Sequence, residues 1–102
     1  PFVTGGSNTT TSPISIGVSQ DLQVLTGTSQ TVNLPNSVSD GREVIIINHG
    51  TNYANISPAV YVQGSITISQ IPNCQSCMLP GMNGNVLRVV WISAIGRWVK
   101  SN

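Results

Sequence analysis

Two runs of this chain are apolar on both sides of an extended backbone: Glu43-Val44-Ile45-Ile46-Ile47-Asn48 and Val86-Leu87-Arg88-Val89-Val90-Trp91-Ile92. Alternate residues of a strand point to opposite faces, so a strand with one wet face reads apolar, polar, apolar. Here Val44 and Ile46 point one way while Ile45 and Ile47 point the other. Leu87, Val89 and Trp91 share one face of the second run, and Val86, Val90 and Ile92 share the opposite one. A small domain without helices to cover a second sheet face has one core. The second apolar face is therefore expected to meet another copy of the chain.

The rest of the chain alternates short strand signals with turn signals. Strands are predicted near Ile14–Val18, Leu22–Thr26, Gln30–Leu34, Glu43–Asn48, Tyr53–Ser57, Ala59–Gln63, Ser65–Ser69, Val86–Ser93 and Arg97–Ser101. Val, Ile and Thr dominate these segments, and their branched side chains suit pleated sheets better than helices. Leu34-Pro35-Asn36 ends one strand, because proline cannot donate to a central ladder. Asp40-Gly41 is a turn signal, Gly50 offers a positive φ between Asn48 and Asn52, and Ala94-Ile95-Gly96 fits a three-residue hairpin. No window of about eleven residues has a helical period. The pattern predicts an all-β fold of eight or nine short strands, a jelly-roll-like β-sandwich over residues 14–102. Residues 1–13, with Gly5-Gly6-Ser7-Asn8 and Thr9-Thr10-Thr11-Ser12, read as a flexible neck or linker. The stretch from Ile71 to Asn85 reads either as a functional loop or as a crossover strap between sheets.

Composition narrows the function classes. The chain has 102 residues, enough for one domain with a modest core. Charged residues make up only 7%, against roughly 25% in an ordinary soluble domain. Polarity comes from neutral hydroxyls and amides, which suits robust exposed assemblies. A net charge of +1 gives no field for nucleic acid. No apolar stretch approaches the roughly 20 residues of a membrane span, and no signal-peptide pattern is present. The chain starts at Pro1 rather than Met, which reads as a fragment or processed product.

Candidate chemistry is sparse. Cys74-Gln75-Ser76-Cys77 has the spacing of a redox dithiol, half a zinc site or a small disulfide loop. The redox reading needs a helix N-terminus near a βαβ pattern, and zinc needs four ligands where two Cys and His49 supply three. A local disulfide or two plain thiols is the expectation, with no metal, cofactor or catalytic residue. His49 reads as a turn histidine, and Asp21, Asp40 and Glu43 form no catalytic pair. Arg88 interrupts the apolar face of Val86, Val90 and Ile92 and needs a partner there, since unpaired buried charge is costly. Glu43, on the face of Ile45 and Ile47, is the candidate; a bound anion and an arginine snorkelling to solvent are the alternatives. The predicted oligomer interface is thus Glu43, Ile45, Ile47, Val86, Arg88, Val90 and Ile92. Among the aromatics, Trp91 follows the core parity of Leu87 and Val89. Tyr53, beside Asn52 and Asn55, and Trp98 are candidates for surface contact, with Asn48 and His49 of the neighbouring connection.

The order Thr31-Val32-Asn33-Leu34-Pro35, then Asp40-Gly41-Arg42-Glu43-Val44-Ile45-Ile46-Ile47-Asn48, then Gly96-Arg97-Trp98 resembles the distal domains of bacteriophage tail fibres and tail needles. A V-x-L-P, D-G, V-x-I-x-N run and a terminal G-x-W strand recur in that group. The resemblance spans about Thr31 to Ser101. It implies a trimeric, jelly-roll or tumour-necrosis-factor-like knob behind a Gly/Ser/Thr-rich neck, carried on a virion. Its expected role is host-surface attachment, through a receptor or glycan, or capping of the tail tip. Two other readings stand beside it: a monomeric carbohydrate-binding module, and a small enzyme such as a CxxC oxidoreductase.

Overall fold

A computed structural model describes residues 13–17, 20–36, 38–63, 66–73 and 84–102. The neck up to Ser12, the Cys74/Cys77 pair and most of the Ile71–Asn85 stretch lie outside the described residues. Among the described residues there are eight strands: β1 Ile14–Ser15, β2 Leu22–Leu25, β3 Thr31–Asn33, β4 Glu43–Asn48, β5 Ala54–Gln63, β6 Ile66–Ile71, β7 Val86–Ile92 and β8 Arg97–Lys100. The described residues hold no helix, so the all-β expectation is borne out. The strands form one curled sheet in the order β1-β3-β5-β8-β7-β4-β2, with β6 added to β5. The curl folds the sheet into a sandwich-like half-barrel. Its finer topology is mixed, with parallel pairs β1/β3, β2/β4, β3/β5 and β5/β8 beside antiparallel β4/β7, β5/β6 and β7/β8.

Two of the parallel pairs, β2/β4 and β3/β5, have one origin. The segment from Leu22 to Asn33 runs beside the segment from Ile45 to Ser57 in the same direction. Partners differ by 23 in residue number from Leu22/Ile45 to Thr28/Thr51, and by 24 from Thr31/Asn55 onward. The two segments therefore bend together as a double ribbon, leaving one wall of the half-barrel and entering the other. The one extra residue falls in the second segment, where Asn52 takes a left-handed φ of 71°. At the bend His49 N–H donates to the Leu25 carbonyl, Thr51 N–H to the Gly27 carbonyl and Ser29 N–H to the Thr51 carbonyl. Gly50 is needed there for space. A Cβ on it would sit 2.0 Å from the Gly27 oxygen. The expected positive φ is found instead at Gly41 (85°) in the Asp40-Gly41 turn and at Gly96 (62°). The latter closes the β7–β8 hairpin over Ser93–Gly96, one residue longer than predicted.

The core fills the inside of the curl. Val44, Ile46, Leu87 and Val89 come from one wall, Val32, Ile56, Val60 and Ile71 from the other, and Trp98 from β8 between them. Inward residues alternate with outward ones along β4 and β7, as the both-face apolar runs demand. Ile46 is fully buried, so Ile46→Asp would unfold the domain; Ile45 and Ile47 are the apolar residues of that run that reach the outer face. Arg42 ties β2 to β4 by pairing with Asp21 and donating to the Gln20 carbonyl.

Candidate functional site

The register carries the seven predicted interface residues onto one outer face. Glu43 lies opposite Val90, Ile45 opposite Arg88, and Ile47 opposite Val86. Ile45, Ile47, Val86, Val90 and Ile92 are half-buried in the single chain, while Glu43 and Arg88 are exposed. Arg88 Nε lies 3.9 Å from Glu43 Oε1, the diagonal pairing that the sequence suggested. Both side chains are 49% exposed, so in an isolated chain this pair contributes about 0–1 kcal/mol.

The face is wider than the sequence indicated. Leu22 and Val24 of β2 stand beside Ile45 and Ile47, and Val99 of β8 stands opposite Val90. All three are half-buried and outward. Leu22 and Val24 have the spacing of a core stripe, yet Gln23 is the residue that turns inward, opposite the buried Ile46. Gln23 can be held there because its amide is bonded: Gln20 Nε2 donates to its oxygen, and its own nitrogen donates to the Val24 carbonyl. Eight apolar side chains on four adjacent strands thus form a continuous outer patch, with one ion pair set into it.

Two of the four predicted surface-contact residues are corrected. Trp98 is 1% exposed; it packs edge-on against Trp91 at 5.6 Å between ring centroids and donates from Nε1 to the Pro35 carbonyl at 3.0 Å. Cross-strand pairing of Trp91 with Trp98 puts both on the inner face. Asn48 is also buried, because it continues the inward parity of Val44 and Ile46. Its Nδ2 donates to the carbonyls of Asn52 and Ile71, and its Oδ1 accepts from Gly50 N–H. Asn48→Ala would strand those groups at the bend; we expect a loss of about 2–3 kcal/mol, measured by urea denaturation. His49 and Tyr53 are exposed at the same bend.

Among the described residues, no group of three or more His, Cys, Asp and Glu side chains could hold a metal ion, and no helix is long and apolar enough to cross a membrane. The fold defines a mixed-sheet, all-β domain whose most distinctive surface is an apolar sheet face. Comparison with protein-family models, with curated proteins and with solved structures finds no match.

Proposed function

We propose that this chain is a non-enzymatic, homotrimeric knob at the exposed tip of a viral or phage fibre or tail needle, acting in attachment to a host surface or in capping the tail tip. The observation that carries the assembly is the outer patch of β2, β4, β7 and β8. Four strands at about 4.8 Å spacing, of 4, 6, 7 and 4 residues at about 3.3 Å per residue, make a face roughly 20 Å across and about 13–23 Å along the strands. Apolar patches of that size on a single soluble chain mark interaction sites. Closed symmetric assembly covers such a face without leaving a sticky remainder, as an open filament would. The Glu43–Arg88 pair sits within the face and would be desolvated on assembly, where it fixes register more than it adds affinity. The trimer and the appendage rest on the resemblance to tail-fibre and tail-needle knobs; the surface chemistry supports a partner of the same kind.

Ile47→Asp and Val90→Asp place a charge at the middle of the patch without touching the core. Light scattering is expected to find each variant as a folded monomer at low micromolar concentration. A Val90→Asp protein with the mass and stability of the parent assembly would remove this face from the interface.

A further inference from the structure

The two outer walls of the half-barrel differ in chemistry. Opposed to the apolar patch, the wall of β1, β3, β5 and β6 presents rows of uncharged hydroxyls and amides. Ser15 lies in register with Asn33, and Asn33 with Ser57, on three parallel strands. Their neighbours in sequence, Ile14, Val32 and Ile56, face the core, so this row faces out. A second row, Thr31, Asn55 and Gln70, lies beside it, with Gln70 Nε2 bonded to Asn55 Oδ1 at 3.3 Å. Among the described residues, no hydrogen bond engages the side chains of Ser15, Asn33 or Ser57.

The first row opens into a cleft of about 440 Å³ at the carboxyl ends of β1 and β3, beside Ser57 and Pro58 in the middle of β5, within the size range of small-ligand sites. Asn36 adds an exposed amide, and the exposed Pro58 adds apolar surface, while Pro35 is buried at the cleft wall. None of the residues lining it is charged. The walls are held in place before any ligand arrives. Ile16 N–H donates to the Asn33 carbonyl at 2.9 Å, Leu34 N–H to the Ser57 carbonyl at 2.8 Å, and Trp98 anchors Pro35.

We propose that this cleft binds an uncharged sugar residue of a glycan. Hydroxyl and amide side chains both donate and accept, as ring hydroxyls do, so each can pair with either sense of a sugar hydroxyl. Strands about 4.8 Å apart present these groups at a repeat that suits alternate hydroxyls of a pyranose ring. The exposed Pro58 ring offers apolar surface for the C–H face of the sugar. With no cation in the lining, an acidic sugar would lose hydration without gaining a charged partner. This deepens the attachment role proposed above and rests on it for its biological use. The two fail separately, because a titration reads the cleft and a mass reads the apolar patch.

The test is a ¹H–¹⁵N NMR titration of the full chain with maltotriose, cellotriose, mannotriose and lactose, with sialyllactose as the charged control. At least one neutral sugar is expected to shift the amides of Ser15, Asn33 and Ser57 saturably, and more tightly than sialyllactose. Asn33→Ala and Ser57→Ala, both outside the core, should weaken that sugar tenfold or more while leaving the remaining spectrum unchanged. The proposal is overturned if no neutral sugar in the panel saturates these amides, if sialyllactose binds more tightly, or if Asn33→Ala binds as the parent does.

Discussion

Gly50→Ala is expected to abolish or severely reduce folding, at a cost of about 3 kcal/mol or more. Its new Cβ would meet the Gly27 carbonyl oxygen at 2.0 Å, a backbone atom that no rotamer change can move aside. That same carbonyl accepts the Thr51 N–H, and the Thr51 carbonyl accepts the Ser29 N–H. Pushing the two segments apart would therefore break the ladder that carries the double ribbon from one wall to the other. Overpacking a well-filled site usually costs about 1–3 kcal/mol, and backbone clashes with lost hydrogen bonds lie beyond that range. Gly41→Ala provides the comparison. It is strained by a φ of 85° but meets nothing within 4 Å, so about 1 kcal/mol is expected. Urea midpoints of the two variants should differ widely. Equal midpoints would mean that the bend does not hold the walls together.

Trp98→Ala should cost about 3–5 kcal/mol, a large share of the 5–15 kcal/mol that stabilises a domain of this kind. Trp98 is the largest fully buried side chain, and it bridges the two walls from β8. Trp98→Phe separates its two contributions. The phenyl ring keeps most of the packing against Trp91, but the Pro35 carbonyl loses its donor, for which about 1–3 kcal/mol is expected. Denaturation curves for the pair should therefore be ordered parent, Phe, Ala. A Phe variant as unstable as the Ala variant would assign the whole effect to the hydrogen bond.

Strand identity was legible in the sequence wherever one residue pattern sufficed to define it. The both-face apolar runs of β4 and β7 gave their bounds, their inward residues and the face shared by Glu43 and Arg88. Asp40-Gly41 and Gly96 marked turns whose left-handed glycines are present. The parallel pairings were not legible, because register between Leu22–Asn33 and Ile45–Ser57 is set by packing at the Gly27/Gly50 crossing, with no local signal. Pro58 misled in a physical way. It divided Tyr53–Ser57 from Ala59–Gln63, yet β5 runs through it. Along this edge pairing passes from β3, ending at Ser57, to β8 at Tyr61, and the missing N–H of Pro58 falls in the gap.

The candidate site was half legible for related reasons. Parity found the outer residues of β4 and β7 but not Leu22, Val24 and Val99, whose orientation depends on which strands they pair with. Gln23 shows why: its amide is bonded within its own segment, so a polar residue can face the core while its apolar neighbours face out. Asn48 and Trp98 carried signals that could have placed them inside. Asn48 extends the parity of Val44 and Ile46, and Trp98 sits across a short hairpin from the inward Trp91. Their polar and aromatic character suggested surface roles, and the alternation outweighs it. The Ser15-Asn33-Ser57 row had no sequence signal, since three residues scattered over the chain meet only through parallel pairing.

The proposed assembly requires that the apolar outer wall be covered by further copies of the chain. Native mass by multi-angle light scattering at low micromolar concentration reads this directly. A stable species of three chains is expected, reduced to one by Val90→Asp. A parent protein that runs as a clean monomer under the same conditions would contradict it.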